Sequence, residues 1–248
     1  MKAIIIAAGY GSRLEDLSKK IPKGLLQINS KSILQMQIEL FYKKNIDEIV
    51  IITGPYKDFG LKNVLYINDK DYHNHDVLGS LMATKEIFNG KLITSYSDII
   101  FEEKILEQIL NFQGDIGIPI DLDWEKSYEG RTQHPKSEAD NVLLKEGRIL
   151  KIKKNITSKN EDEIIGEFLG PIIFSEYGSK LFVDVYQKLE KSHQGKFHDS
   201  PSLKKAYLTD MIQELIERDI TISPITINGN WCEIDTPQDL TRAEKLFS

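Results

Sequence analysis

Residues 1–24 read MKAIIIAAGYGSRLEDLSKKIPKG, and the fold turns on how they are read. Residues 3–8 are a short apolar run holding three consecutive isoleucines, Ile4, Ile5 and Ile6. Such a run suits a strand buried on both faces, which is usual for a parallel sheet. Gly9, Tyr10, Gly11, Ser12 and Arg13 follow directly. Two glycines at that place let the backbone turn sharply and approach a ligand closely. Their N–H groups can converge on phosphate oxygens, and Arg13 can add charge and paired donors. Pro22-Lys23 then brings a second cation on a constrained backbone. Together these residues read as a site for a triphosphate; the plainer alternative is a tight turn with no ligand.

Two neighbouring fingerprints fail. The dinucleotide motif needs a third Gly or Ala where Leu14 stands, and the P-loop needs Gly-Lys-Ser/Thr after four spacers, which is absent. What remains is A-A-G-x-G-S-R-L followed by P-K, and this resembles the signature of nucleotidylyltransferases, which join a nucleoside triphosphate to a phosphorylated small molecule. The resemblance extends over nearly the whole chain. It implies that Ala7, Ala8, Gly9, Gly11 and Ser12 hold the triphosphate, and that Arg13 and Lys23 stabilise it as pyrophosphate leaves.

At 248 residues the chain can form one large α/β domain or two small ones. Hydrophobic residues make up 40%, enough for a sizeable core. A net charge of −6 argues against a nucleic-acid-binding surface. The single cysteine, Cys232, excludes an internal disulfide and a cysteine-rich zinc site. No apolar run approaches the roughly 20 residues of a membrane span, and the first residues lack a signal-peptide layout. A cytoplasmic enzyme fits best.

Beyond the loop, residues 32–45 carry Ile33, Met36, Leu40 and Phe41 at helical spacing. Residues 48–53 (EIVIIT) and 63–68 (NVLYIN) read as buried strands. Strand, helix and strand at this spacing make a βαβ unit, so the sheet should be parallel and bind ligands beyond the C-terminal strand ends. Residues 69–80 (DKDYHNHDVLGS) are polar. The family resemblance sets its base-reading segment here, with Asn74, Asp76, Gly79 and Ser80 as candidates for base or ribose contacts. His73 and His75, two apart in a loop with no obvious third ligand, make a poor zinc site.

Residues 91–100 (KLITSYSDII) run from apolar positions into Asp98. An aspartate at the end of a parallel strand faces the ligand crevice, where a hard oxygen suits Mg²⁺ bridging the triphosphate. Its competing role is to cap a helix over residues 102–112. Asp121 and Asp123 form an Asp-x-Asp at the end of a strand over residues 115–122, with both on one face by alternation. Glycosyltransferases use such a pair to hold a metal-bound nucleotide sugar; the plainer reading is a polar strand end.

Residues 126–140 (KSYEGRTQHPKSEAD) are long, polar and aperiodic. Arg131 and His134 could clamp a phosphate or phosphonate there, beside Tyr128, Glu129 and Glu138; a solvent-facing lid is the alternative. The run W-x3-Y-x-G-R-x2-H-P-x2-E-A looks like the acceptor-side segment of cytidylyltransferases from phosphonate pathways. Residues 141–144 and 148–153 flank Glu146-Gly147 as a hairpin. A strand follows over residues 167–175, opened by Glu167, which is either a surface glutamate or an acceptor ligand. Residues 177–189 are helical. Residues 193–202 are a polar loop suited to a lid or a homodimer contact. A helix over residues 208–218, begun at Thr209, carries Asp210 as a first-turn charge or as a partner for a cationic acceptor.

Residues 221–227 alternate like a half-buried strand, and residues 229–237 read GNWCEIDTP. Thr236 as cap, Pro237 at the first helical position and Asp239 three after the cap make a helix start. In the resembled family a W-x-E/D-I/V-D-T/S-P run carries a second metal aspartate, and Asp235 matches it. Trp231 could wall the acceptor pocket and offer a cation–π contact to an amine or ammonium, or simply pack in the core.

The expected fold is a single Rossmann-like α/β domain. Its mostly parallel central sheet is flanked by helices, and a smaller mixed-strand region lies on the acceptor side. Residues 1–115 form mainly the nucleotide-binding half and residues 116–248 mainly the acceptor-binding half. The resemblance implies Mg²⁺-dependent transfer from CTP to a small phosphate or phosphonate acceptor, as in phosphonate and phosphocholine cytidylyltransferases. Its alternatives are a sugar-1-phosphate nucleotidylyltransferase using UTP, GTP or dTTP, a nucleotide-sugar glycosyltransferase, and a nucleotide-binding module without turnover.

Overall fold

Strand β1 (Lys2–Ala7) is buried along its whole length. Its side chains alternate between two cores, Ala3, Ile5 and Ala7 joining one and Ile4 and Ile6 the other. A strand with no solvent face belongs in the middle of a sheet covered on both sides. The computed structural model, which describes residues 1–9 and 21–248, has it there.

A 3-10 turn (Lys23–Leu25) leads into a small hairpin, β2 (Gln27–Ile28) and β3 (Lys31–Ser32). Helix α1 (Ile33–Lys43) starts where it does because Ser32 caps it, its hydroxyl accepting the Gln35 N–H at 3.1 Å. Then come β4 (Glu48–Thr53), β5 (Leu65–Asn68), α2 (Val77–Met82), β6 (Leu92–Tyr96), β7 (Ile99–Phe101), α3 (Glu103–Leu110) and β8 (Ile116–Asp121). The second half adds β9 (Asp140–Lys145), β10 (Arg148–Lys154), β11 (Glu163–Phe168), β12 (Ile172–Phe174), α4 (Glu176–Ser192), α5 (Leu208–Glu217), β13 (Ser223–Thr226), β14 (Trp231–Glu233) and α6 (Pro237–Leu246).

The main sheet runs β10-β9-β11-β8-β12-β6-β1-β4-β5, with β13 beside β8. As the βαβ reading predicts, β1 is parallel to β4 and β6, and β4 to β5. From β12 to β10 the neighbours are antiparallel, so the sheet is mixed in the second half of the chain. Leu34, Ile38 and Phe41 of α1 and Ile105, Leu106 and Ile109 of α3 cover one face. The other face packs against α2, α4 and α5. A satellite core joins Cys232 and Ile234 to Ile100 of β7, Ile28 of β2 and Ala243 of α6. No helix among the described residues is long and apolar enough to cross a membrane.

Two local expectations need correction. The strand predicted over residues 167–175 is two strands, and Glu167 stands near the end of β11 rather than opening it. Gly170 (φ +108) and Pro171 make the break, since one leaves the strand region and the other has no N–H to donate. A Cβ on Gly170 would also lie 2.6 Å from the Tyr96 ring. Helix α5 begins at Leu208 rather than Thr209, because Asp210 Oδ2 accepts the Tyr207 N–H at 2.9 Å.

Candidate active site

The C-terminal ends of β1 and β6 open into a cavity of about 930 Å³. Ala7, Ala8 and Gly9 line it where β1 ends. Gly54, at the end of neighbouring β4, allows this close approach: a Cβ there would sit 2.3 Å from the Ala8 carbonyl oxygen. Gly11, Ser12 and Arg13 lie outside the described residues.

Pro22 orients the short turn that carries Lys23 into the cavity. The Lys23 ammonium bonds Asp98 Oδ2 at 2.7 Å and also Asp235 Oδ1. Two aspartates 137 positions apart in sequence are thus joined through one cation. Asp98 follows β6, and Asp235 sits between β14 and α6, which pack together because β14 pairs antiparallel with β7. Asp98 does not cap the following helix; Glu102 holds that position in α3. Burial alone would push the Lys23 ammonium down, but Asp98, Asp235 and Glu233 outweigh it and hold it above the ordinary lysine range. Glu233 shifts in the same direction, which for a carboxyl favours the neutral form. Burial, then Asp235 and Asp98, raise its carboxyl well above the usual range.

This donor set fits a hard divalent cation. Asp98 and Asp235 already converge on a positive charge, and Asp98 Oδ1 is buried with no hydrogen-bond partner among the described residues. Glu233 and His134 place donor atoms within 4.8 Å of one another and of Asp235. Hard oxygen ligands of this kind are what Mg²⁺ selects.

The segment after β5 is organised by Asp69, a residue the sequence reading passed over. It is 2% exposed, accepts Ser80 Oγ at 2.8 Å and lies 2.9 Å from His75 Nδ1. Its position directly after β5 was a usable signal, by the same reasoning that singled out Asp98. Asp76 and Ser80 line the cavity. Asn74 instead donates to Asp71 at 2.6 Å on the surface, and Gly79 packs behind the wall, where a Cβ would meet the Lys204 carbonyl oxygen at 2.6 Å. The Tyr72 and His73 rings lie 3.9 Å apart at the cavity edge. Lys205 ties this segment to the opposite wall, donating to the carbonyls of His73 (2.9 Å) and His75 (3.4 Å).

On the other side, His134, Glu167, Asp210 and Trp231 all reach the cavity. Glu167 Oε1 accepts Tyr128 Oη at 2.5 Å, while Oε2 is buried without a partner among the described residues. Burial pushes its carboxyl up to about 8, against the Tyr128 hydrogen bond and Arg131 and with the help of Asp140 and Asp121. Asp210 accepts Ser200 Oγ (2.7 Å) as well as the Tyr207 N–H, so its carboxylate is engaged in holding the start of α5. Trp231 Nε1 donates to Asp121 Oδ2 at 2.9 Å. Asp123, exposed, pairs with Lys126, so Asp121 and Asp123 do not converge on one site. Arg131 does not line the cavity; its Nε is spent on Asp239. Glu233, the last residue of β14 and two before Asp235, was also missed; it lines the same cavity.

The chain is 30% identical to CTP:phosphoglutamine cytidylyltransferase of Campylobacter jejuni over 254 residues, covering 97% of this chain and 98% of that protein. It belongs to the nucleotidyltransferase family. The Nucleotidyl transferase family model matches residues 2–74, which include β1, Lys23 and α1. The nucleotidyltransferase fold extends to solved structures. CTP:phosphocholine cytidylyltransferase of Streptococcus pneumoniae aligns with a TM-score of 0.72 at 21% identity, over 100% of this chain and 99% of that one. The inositol-1-phosphate CTP transferase of T. maritima aligns with a TM-score of 0.75 at 18% identity, over 99% and 94%. The chain spans about half the length of several other curated relatives, which it matches along its whole length. As a nucleotidyltransferase it is an enzyme, and its sheet, cavity and paired aspartates form one arrangement.

Proposed function

We propose that this nucleotidyltransferase moves a cytidylyl group from CTP to a small acceptor bearing a phosphate or phosphonate, of phosphonate, phosphocholine or phospho-amino-acid type. The observation that carries the reading is Lys23, set between Asp98 and Asp235 at the mouth of β1 and β6. The likeness to the Campylobacter jejuni enzyme over almost the whole of both chains supports CTP as the nucleotide.

An acceptor oxygen attacks the α-phosphorus in line. The new O–P bond forms as the bond from the α-phosphorus to the bridging oxygen breaks, and its electrons leave with pyrophosphate. Residues 1–115 bind mainly the nucleotide and residues 116–248 mainly the acceptor. Ala7, Ala8 and Gly9 present backbone to the phosphates, and Gly11 and Ser12 are assigned to the same group. Lys23 and Arg13 offset the charge that builds on the leaving group. Asp76 and Ser80 face the nucleoside, while His134, Glu167, Asp210 and Trp231 face the acceptor. Asp98 and Asp235 would hold Mg²⁺, which when bound supplies charge neutralisation and alignment of the phosphates. No covalent nucleophile is required, because positioning and electrostatics carry phosphoryl-type transfer.

The test is pyrophosphate release with Mg²⁺. CTP, UTP, GTP, ATP and dTTP are crossed with phosphocholine, 2-aminoethylphosphonate, phosphorylated amino acids and sugar 1-phosphates. Turnover with CTP and a non-sugar acceptor is expected. Turnover only with a sugar 1-phosphate would overturn the acceptor assignment while leaving the chemistry.

A further inference from the structure

Asp239 is fully buried, and its two oxygens gather four donors. Oδ2 accepts the N–H groups of Asp235 (3.1 Å) and Thr236 (2.9 Å) and the Thr236 hydroxyl (2.9 Å). Oδ1 accepts Arg131 Nε at 2.6 Å. The first three bonds define the start of α6. A capping box needs only the Thr236 and Asp239 side chains and the backbone, so Arg131 is an addition to it. That addition is buried too, with 6% of its side chain exposed. Desolvating a guanidinium is expensive, and replacing such a pair by apolar residues is often no loss in stability. The pair therefore calls for an explanation other than holding the helix.

Its surroundings supply one. Arg131 Nη2 lies 3.1 Å from His134 Nδ1 and donates to the Glu233 carbonyl at 3.4 Å. His134 Nδ1 in turn lies 3.3 Å from Asp235 Oδ2. Arg131 thus reaches the backbone N–H of Asp235 through Asp239 without lining the cavity, and its Nη2 also faces His134 Nδ1, a nitrogen that can accept from Arg131 or donate to Asp235 but not both. It also supplies positive charge beside a carboxylate group in which Lys23 is already engaged by Asp98 and Asp235.

We propose that Arg131 is a positioning residue, which through Asp239 fixes the backbone of Asp235, and with it the carboxylate, in the orientation that holds the divalent cation. This rests on the reading of Asp235 as a metal ligand. Arg131 was expected from sequence as a clamp on the acceptor phosphate, and the two roles predict different losses.

The same loop is fastened to α6 by contacts that bypass Asp239. Gln238 Oε1 accepts the N–H groups of Thr132 (2.9 Å) and Gln133 (3.2 Å), Gln238 Nε2 donates to the Gly130 carbonyl (2.9 Å), and Arg242 donates to the Ser127 carbonyl. Gln238→Ala and Arg242→Ala therefore loosen the loop while leaving the Arg131–Asp239 pair in place.

The experiment is Mn²⁺ binding to the full chain, read by electron paramagnetic resonance, alongside steady-state kinetics. Arg131→Gln is expected to weaken Mn²⁺ binding by about 10–100-fold, the usual scale for losing a group that orients a metal ligand. Arg131→Lys should recover only part of this, because an ammonium cannot meet both Asp239 and the Glu233 carbonyl in the guanidinium's fixed geometry. The acceptor KM should stay within about threefold, while the Mg²⁺ concentration for half-maximal rate rises with the Mn²⁺ effect. Equal losses of Mn²⁺ affinity in Gln238→Ala and Arg242→Ala would reduce Arg131 to a structural tether and overturn the proposal. So would an Arg131→Gln enzyme whose defect lies in acceptor KM with Mn²⁺ binding intact. If Asp235→Asn itself leaves Mn²⁺ binding unchanged, the metal reading and this assignment fall together; if only the Arg131 variants are silent, this assignment alone falls.

Discussion

Lys23 Nζ lies 2.7 Å from Asp98 Oδ2 and bonds Asp235 in the same cavity. One ammonium therefore joins the residue proposed for the phosphates to the two carboxylates proposed for the metal. Lys23→Ala or Asp98→Ala should lower kcat/KM by on the order of 10²–10³, the scale seen when a key electrostatic group is removed. Steady-state pyrophosphate release measures this. A loss under about threefold in either variant removes that residue from the mechanism.

Asp69 connects two parts of the cavity wall proposed for the nucleoside by holding Ser80 Oγ and the His75 ring. Asp69→Ala strands those buried groups without an acceptor, and a deficit of about 1–3 kcal/mol in stability is expected from urea unfolding. Nucleotide binding should suffer with it. The Kd for CTP, measured calorimetrically, is expected to rise by about tenfold, the equivalent of about 1.4 kcal/mol. An unchanged Kd would mean that Ser80 and His75 do not touch the nucleotide.

Glu167 gives a pH test. Its carboxyl is raised in the folded chain to about 8, from the ordinary glutamate value near 4.5, mainly by burial. The folded state thus prefers the neutral acid. Stability from this group is fully present below about 4.5 and is lost as pH rises toward 8, at about 1.4 kcal/mol per unit across that window. Glu167→Gln, which mimics the neutral acid, should flatten the fall in urea midpoint between pH 5 and pH 8. Parallel pH profiles for the two proteins would show that Glu167 does not titrate there.

Gly178, in the first turn of α4, sits against β8: a Cβ would lie 2.0 Å from the Asp115 carbonyl oxygen. In an exposed helix Gly→Ala usually stabilises. Here it should destabilise by about 1–3 kcal/mol, as overpacking does. A Gly178→Ala protein that melts at or above the wild-type temperature would mean that α4 can slide along the sheet.

The elements legible from sequence are those whose identity is written locally. The isoleucine run of β1, the βαβ spacing to β4 and the Thr236–Pro237–Asp239 start of α6 each carry their own signal. Asp98 was read from its place at a strand end and Asp235 from its match to the resembled family's W-x-E/D-I/V-D-T/S-P run; the structure brings the two together on Lys23. The split between β11 and β12 was harder, since EFLGPIIF is apolar enough to read as one strand, although Gly170 and Pro171 make the break and the packing of Gly170 against Tyr96 keeps the position free of a side chain. The antiparallel order of β8, β9, β11 and β12 depends on long-range pairing that no local pattern encodes. Arg131 shows the limit for side chains. Its spacing from His134 suggested an anion clamp, but its partner Asp239 lies 108 positions away.

Lys205 fastens the carbonyls of His73 and His75 to the segment that carries Ser200 and Tyr207 on the facing wall. The two ends of the cavity therefore share an anchor, and their ordering is not independent. A molecule that stills one end has already met part of the entropic cost of stilling the other, so two guests should bind more tightly together than the product of their separate affinities allows. By reciprocity, whatever factor the first gains from the second, the second gains from the first.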